Sequence, residues 1–167
     1  QRQMCIRDRL AVVGACVDGE PTMAGKPARP LLEATCTRLG CHRPIFVGDR
    51  LDTDILGARN AGITSLFVLT GAHGVHDLMD AGPDRRPDHI GADLGALLEP
   101  PQRVVVDGDA ARCDGQLVRQ IDGDLEVDLT NHDMAAQLCG VRALLELVWT
   151  DRVPVNHDAL SVFDLLH

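Results

Sequence analysis

The stretch that most restricts the fold of this chain is a short apolar run that ends in glycine and then in a cluster of acids. Residues 44–58 read Pro-Ile-Phe-Val-Gly-Asp-Arg-Leu-Asp-Thr-Asp-Ile-Leu-Gly-Ala. Ile45, Phe46 and Val47 predict a buried strand, and Gly48 lets the backbone come close to whatever sits at its end. Asp49, Asp52 and Asp54 follow at once. Thr53 or Asp54 can cap a helix whose apolar side includes Ile55 and Leu56. The acids therefore collect in a strand-to-helix turn, the place where open α/β sheets bind ligands. Carboxylates crowded in this way repel one another unless a cation or a network of donors holds them.

The flanking sequence extends the same pattern. Residues 10–17 are apolar and helix-compatible, and Asp18-Gly19-Glu20-Pro21 breaks them. Ala24-Gly25-Lys26-Pro27 then precedes a helix over residues 29–39, in which Leu31, Leu32, Thr35 and Leu39 share one face and Gly40 supplies the stop. After the acid turn, a helix from about Asp54 to Asn60 ends at Ala61-Gly62, and residues 63–69 predict the next strand. A short helix over residues 76–80, a loop over 82–87 and an edge strand beginning at His89-Ile90 complete the series. Strands alternating with helices mean a parallel sheet. Pro100-Pro101 is the best domain boundary. Beyond it, Asp114-Gly115 and Asp122-Gly123 are hairpin signals, Leu125, Val127 and Leu129 alternate with acids, and residues 134–149 form an amphipathic helix. Trp149 is expected to anchor that helix in the core of the smaller unit. The fold class expected is α/β, a partial doubly wound, Rossmann-like parallel sheet over residues 10–99, followed by a small α+β domain over 104–167. Residues 1–9 show neither period and are expected to be a non-native tail.

Composition removes several functions. Aromatics make up 2% of the chain and tyrosine is absent, which argues against a stacking platform for single-stranded nucleic acid. The formal net charge of -9 argues against a phosphate-backbone partner of any kind. No apolar run reaches the roughly 18 residues of a membrane helix. Six cysteines without a C-x-x-C pair read as free thiols in a reducing, cytoplasmic setting. Cys36 and Cys41 read as buried or incidental, because no basic microenvironment surrounds them. His73 and His76 read as loop and helix-start residues, since no third ligand is near in sequence.

Gly25-Lys26-Pro27 ahead of Gly48-Asp49-Arg50-Leu51-Asp52-Thr53-Asp54-Ile55 resembles the haloacid dehalogenase-like (HAD) phosphohydrolases. The likeness is to their class IIA branch of phosphoglycolate, nitrophenyl-phosphate and glycerol-3-phosphate phosphatases, and it covers residues 10–99. The small unit that follows resembles the acetyltransferase-like domain of bacterial glycerol-3-phosphate phosphatases. The resemblance implies Mg²⁺-dependent hydrolysis of a small phosphorylated metabolite through an aspartyl-phosphate. Within it, Lys26 holds the phosphate, Asp49 ligates Mg²⁺, and Asp54 orients the metal shell or Lys26. Asp52 is expected to be a turn or surface acid.

The family also carries an early D-x-D motif with the nucleophile, and a later Ser or Thr motif. Neither lies ahead of Lys26. The chain is therefore expected to be the C-terminal half of an enzyme, with no activity alone and without the substrate-choosing cap. Two other classes stay open: a phospho-acceptor signalling domain, and a non-catalytic interaction module that forms homo-oligomer contacts. Taken apart from Lys26, the acids also suit a helix N-terminus that complements the dipole. The segment 120–124 faintly resembles an acetyl-CoA pyrophosphate loop, but Asp124 would repel a pyrophosphate, and no acetyltransferase activity is expected.

Overall fold

The computed structural model describes residues 11–19, 22–122, 124–150 and 154–164. Residues 11–14 are helical and exposed, whereas Leu10 and the tail over 1–9 lie outside the described residues, as do Leu165 and Leu166 of the apolar run 162–166 that the sequence suggests as closing the core. The helix α1 spans Pro30–Leu39, with proline in its first turn and Gly40 at φ 61° after its last. A three-stranded parallel sheet follows, ordered β1-β2-β3, from β1 (Ile45–Gly48), β2 (Thr64–Val68) and β3 (His89–Gly91). Between β1 and β2 the chain forms a wide π-helical turn, Leu51–Ile55, that runs directly into α2 (Leu56–Asn60). The helix α3 (Val75–Met79) connects β2 to β3.

Past residue 100 the pattern changes to an antiparallel meander, ordered β4-β5-β6-β7. Its strands are β4 (Val104–Asp107), β5 (Ala110–Cys113), β6 (Gln116–Ile121) and β7 (Asp124–Asp128). Asp114 and Gly115 both have positive φ, 45° and 82°, so this Asp-Gly pair makes the two-residue turn that the strand twist favours. Asp122, also at positive φ, lies in the β6–β7 hairpin. In the segment likened to a pyrophosphate loop, Gln120 and Ile121 thus end β6 and Asp124 opens β7 with no helix following, and the acetyltransferase-like expectation finds no support. The helix α4 spans Met134–Trp149, and the Asp133 carboxylate caps it by accepting from the Ala136 N–H at 2.8 Å.

A single apolar cluster runs through both sheets. Phe67 and Ile90 of the parallel sheet, Leu78 of α3, Val118 of β6, Leu144 and Leu145 of α4, and Phe163 all belong to it. Three expectations need correction. Ile45 is 51% exposed and the rest of β1 only half-buried, because β1 lies at the sheet edge. On α1, Leu32 alone is buried, while Leu31 and Leu39 face outward. Trp149 does not sit inside the smaller unit. Its indole N–H donates to the Leu78 carbonyl at 2.9 Å, and Arg86 donates to the Trp149 carbonyl at 2.6 Å. The side chain therefore ties α4 to α3 of the parallel half.

Replacing Trp149 by Phe keeps most of the apolar area and removes this hydrogen bond. It should lower the unfolding free energy by about 1–2 kcal/mol. Urea unfolding followed by far-UV circular dichroism measures this, since the substitution also removes the chain's one tryptophan. A change within error would mean that the indole bond contributes nothing to joining the two sheets.

Candidate functional site

At the carboxyl end of β1, two glycines make room for two acids. A Cβ on Gly48 would lie 2.3 Å from the Asp54 Cβ and 2.7 Å from its Oδ2. A Cβ on Gly71 would lie 2.1 Å from the Asp49 Oδ2. The backbone of β1 therefore accepts Asp54 against it, and the loop after β2 accepts Asp49. Thr53 and Asp54 do not act as the expected helix cap, because the wide turn carries the chain into α2 without one. Asp54 instead faces back: its Oδ2 accepts from the Arg50 N–H at 3.2 Å.

The other Asp54 oxygen receives Lys26. Nζ donates to Oδ1 at 2.6 Å across 28 residues of sequence, and the ammonium also stands 5.7 Å from the Phe46 ring centroid. The Lys26 side chain is 41% exposed and that of Asp54 only 6%, so a buried carboxylate holds a cation whose other side meets solvent. The loop that carries Lys26 is itself fixed. The Asn60 amide donates to the Pro27 carbonyl at 2.8 Å, and Gly57 packs beside Pro27. The Leu31 N–H donates to the Ala24 carbonyl at 3.0 Å, which seats the start of α1 on the same loop.

Asp49 is half-buried, and its Oδ2 accepts from the Ala72 N–H at 2.7 Å. The His73 N–H donates to the Asp49 carbonyl, and the Leu51 N–H donates to the His73 ring at Nδ1, 3.0 Å away. With Nδ1 accepting, the neutral ring carries its proton on Nε2. The loop 70–73 is the part of the site that sequence reasoning missed. The available signal was a glycine just past a parallel strand that neighbours the acid-bearing one. His76 is turned elsewhere, stacked on His157 with centroids 5.1 Å apart.

Asp52 points away from this pair. Arg50 holds it with two hydrogen bonds, 3.1 and 2.8 Å long, and these keep its carboxyl below the ordinary value despite some desolvation. Its contribution to stability is therefore full above the unfolded carboxyl pKa and is lost as pH falls through the lower folded value. Both side chains are more than two-fifths exposed, so solvent screens the pair. Among the described residues, no three His, Cys, Asp or Glu side chains converge as a metal site, and no helix is long and apolar enough to cross a membrane.

With this geometry in place, the similarities are informative. Residues 23–97 match the family model described as HAD-hydrolase-like. D-glycerol 3-phosphate phosphatase of Mycobacterium tuberculosis is 41% identical over 97 residues, covering 58% of this chain and 28% of that protein. Phosphoglycolate phosphatase 2 of Arabidopsis thaliana is 36% identical, covering 55% and 32%. The crystal structure of a glycerol phosphate phosphatase from Mycobacterium tuberculosis in complex with magnesium superimposes with a TM-score of 0.59 at 32% identity, covering 93% of this chain and 48% of that one. A calcium complex of the same phosphatase gives 0.61 at 29% identity, covering 96% and 50%. The chain spans half or less of the length of each of these relatives.

Gly48→Ala places a methyl group where the Asp54 carboxylate stands. It should destabilise the chain by about 1–3 kcal/mol by pushing Asp54 off Lys26. Denaturant unfolding gives the loss, and the Lys26 ammonium resonance reports the broken pair. An unchanged resonance with unchanged stability would show that the close approach is not needed.

Proposed function

Since residues 23–97 are homologous to the HAD-like phosphatases, which are phosphoric monoester hydrolases, we propose that this chain carries the phosphate-facing and metal-facing part of such an enzyme. Its substrate class is a small phosphorylated metabolite of the glycerol 3-phosphate or phosphoglycolate type. The observation that supports the reading is the Lys26–Asp54 pair beside Asp49 at the end of β1. Buried Asp54 aims the ammonium, and the exposed side of Lys26 is free to meet phosphoryl oxygens. Those oxygens gather negative charge during transfer, and a fixed cation offsets it. Asp49 is the carboxylate assigned to the metal. Arg50 and Asp52 neutralise each other outside this group.

When bound, Mg²⁺ supplies further charge neutralisation at the transferring group. The donors of this chain do not by themselves fit an Mg²⁺ site. Asp54 is committed to Lys26, and one oxygen of Asp49 is committed to the Ala72 N–H. A single carboxylate holds weakly an ion that dehydrates reluctantly. Among the described residues no strand pairs with β1 on the side away from β2, next to Asp49, which leaves room for a further parallel strand, and we assign the aspartate nucleophile to a strand of that kind. A division near residues 100–101, with the antiparallel unit serving in packing, belongs to the same proposal.

The 167-residue chain should show no Mg²⁺-dependent turnover of p-nitrophenyl phosphate. It should bind Mg²⁺ only at millimolar levels, and less still as Asp49→Asn. Placed in frame behind the D-x-D-bearing N-terminal half of a glycerol phosphate phosphatase, it should hydrolyse glycerol 3-phosphate. There, Lys26→Ala and Asp49→Asn should each lower kcat/KM by about 100-fold or more. Steady turnover by the short chain, abolished by Asp49→Asn, would reject the half-site reading. A longer enzyme indifferent to both substitutions would reject the residue roles.

A further inference from the structure

The C-terminal end of α1 brings two cysteines together. Gly40 takes the left-handed conformation, the Cys41 N–H donates to the Cys36 carbonyl at 3.2 Å, and the Gly40 N–H donates to the Thr37 carbonyl at 3.2 Å. This is the Schellman arrangement, whose outer bond joins the fourth-last residue of the helix to the residue after the glycine. Both positions here are cysteine. One such bond, with covalent lengths of about 1.5 Å on either side, keeps the two α-carbons near the roughly 4.4–6.8 Å that a disulfide spans. The Cys41 side chain folds back over its partner, with Sγ 3.6 Å from the Cys36 carbonyl oxygen. Both residues are partly exposed, unlike Cys113 and Cys139, which are buried in the core.

We propose that Cys36 and Cys41 form a reversible disulfide that staples the C-terminal end of α1. The site is separate from the phosphatase reading and does not depend on it. The oxidant is a low-molecular-weight disulfide such as oxidised glutathione. The Cys41 thiolate attacks one glutathione sulfur, forming a mixed disulfide and releasing one glutathione thiolate. The Cys36 sulfur, on losing its proton, then attacks Sγ of Cys41, so that the protein disulfide forms and the second glutathione leaves. Two protons pass to solvent. The order follows from the environment: partial burial, together with the hydrogen bond to Cys41, pushes the Cys36 thiol up, so it keeps its proton longer. The second step is fast because the Schellman bond already holds the thiols side by side.

Arg38 lies between the two cysteines and Glu33 lies between Cys16 and Cys36, so trypsin used together with Glu-C protease leaves Cys36 and Cys41 on separate peptides that carry no other cysteine. The native full-length chain is treated with oxidised glutathione, quenched with N-ethylmaleimide and mapped by mass spectrometry. The expected result is the joined Cys36 and Cys41 peptides, about 2 Da lighter than their sum, from protein that stays monomeric on a non-reducing gel. Exposed Cys16 should carry glutathione, showing that the reagent has reacted, and buried Cys113 and Cys139 should be alkylated only after denaturation. In the Cys36→Ser chain, glutathione on Cys41 should rise at least tenfold, because no resolving thiol remains. Free, alkylated Cys36 and Cys41 in the treated parent chain would overturn the proposal. Equal glutathione on Cys41 in the parent and the Cys36→Ser chain would overturn it as well.

Discussion

The Lys26–Asp54 contact is the interaction on which the candidate site depends. It spans 28 residues and joins the loop before α1 to the turn after β1. Asp54 is 4% exposed, and burying a carboxylate this far costs several kcal/mol unless donors meet it. Lys26 and the Arg50 N–H are those donors. The dependence runs in both directions. Asp54 reaches its position only because residue 48 has no side chain, and Lys26 reaches Asp54 only because Asn60 and Gly57 hold the Pro27 loop against α2. A wide turn at Leu51–Ile55 does what a regular helix start would not: it rotates Asp54 back toward the strand end. Turns of this kind recur where a side chain must be re-aimed.

Much of this was legible in the residues. The parallel order, the Asp-Gly hairpin at Asp114-Gly115 and the bounds of α4 follow from periodicity and turn chemistry, which act locally. The grouping of Lys26 with the acids was legible only through their resemblance to a family, because nothing in the spacing of Lys26 and Asp54 states that they meet. What failed was burial. Leu31, Leu39 and Ile45 have the apolar character of core residues, and pattern reasoning places them inside. The structure leaves them exposed, because burial depends on what covers a face and not on the face alone. Trp149 failed for a related reason. Its helix was read correctly, but the direction of its indole depended on a carbonyl in α3, which periodicity does not encode. The loop 70–73 was missed because, apart from the His73 ring, it holds Asp49 through backbone N–H groups, which every residue but proline possesses, and only Gly71 marked it in the sequence.

Two of these departures, Ile45 and Trp149, line one cavity between the parallel sheet and α4 and bear on how the sheet is supported. Three short parallel strands bury little by themselves, and such strands normally need cover on both faces. Cover on the β3 side comes from α4, where Arg142 donates to the Ile90 carbonyl and Trp149 donates to that of Leu78. Arg86 adds a bond in the reverse direction, from the parallel half to the end of α4. Among the described residues β1 pairs with β2 alone, and Ile45 is half-exposed where it lines the cavity beside α4. The antiparallel unit thus acts as a buttress on the β3 side, while Asp49 and Asp54 stand beside β1, which among the described residues is an edge strand. Rigidity should fall from β3 toward β1, since among the described residues β1 has one neighbouring strand and no fully buried side chain. The network of short local bonds around Asp49 and Asp54 compensates for this: it fixes the acids through turns and loops next to them, where the sheet itself provides least. On the proposed reading, an edge that is unpaired among the described residues and locally braced suits a site that a further strand completes, because the groups that must be aimed are already aimed before that strand arrives.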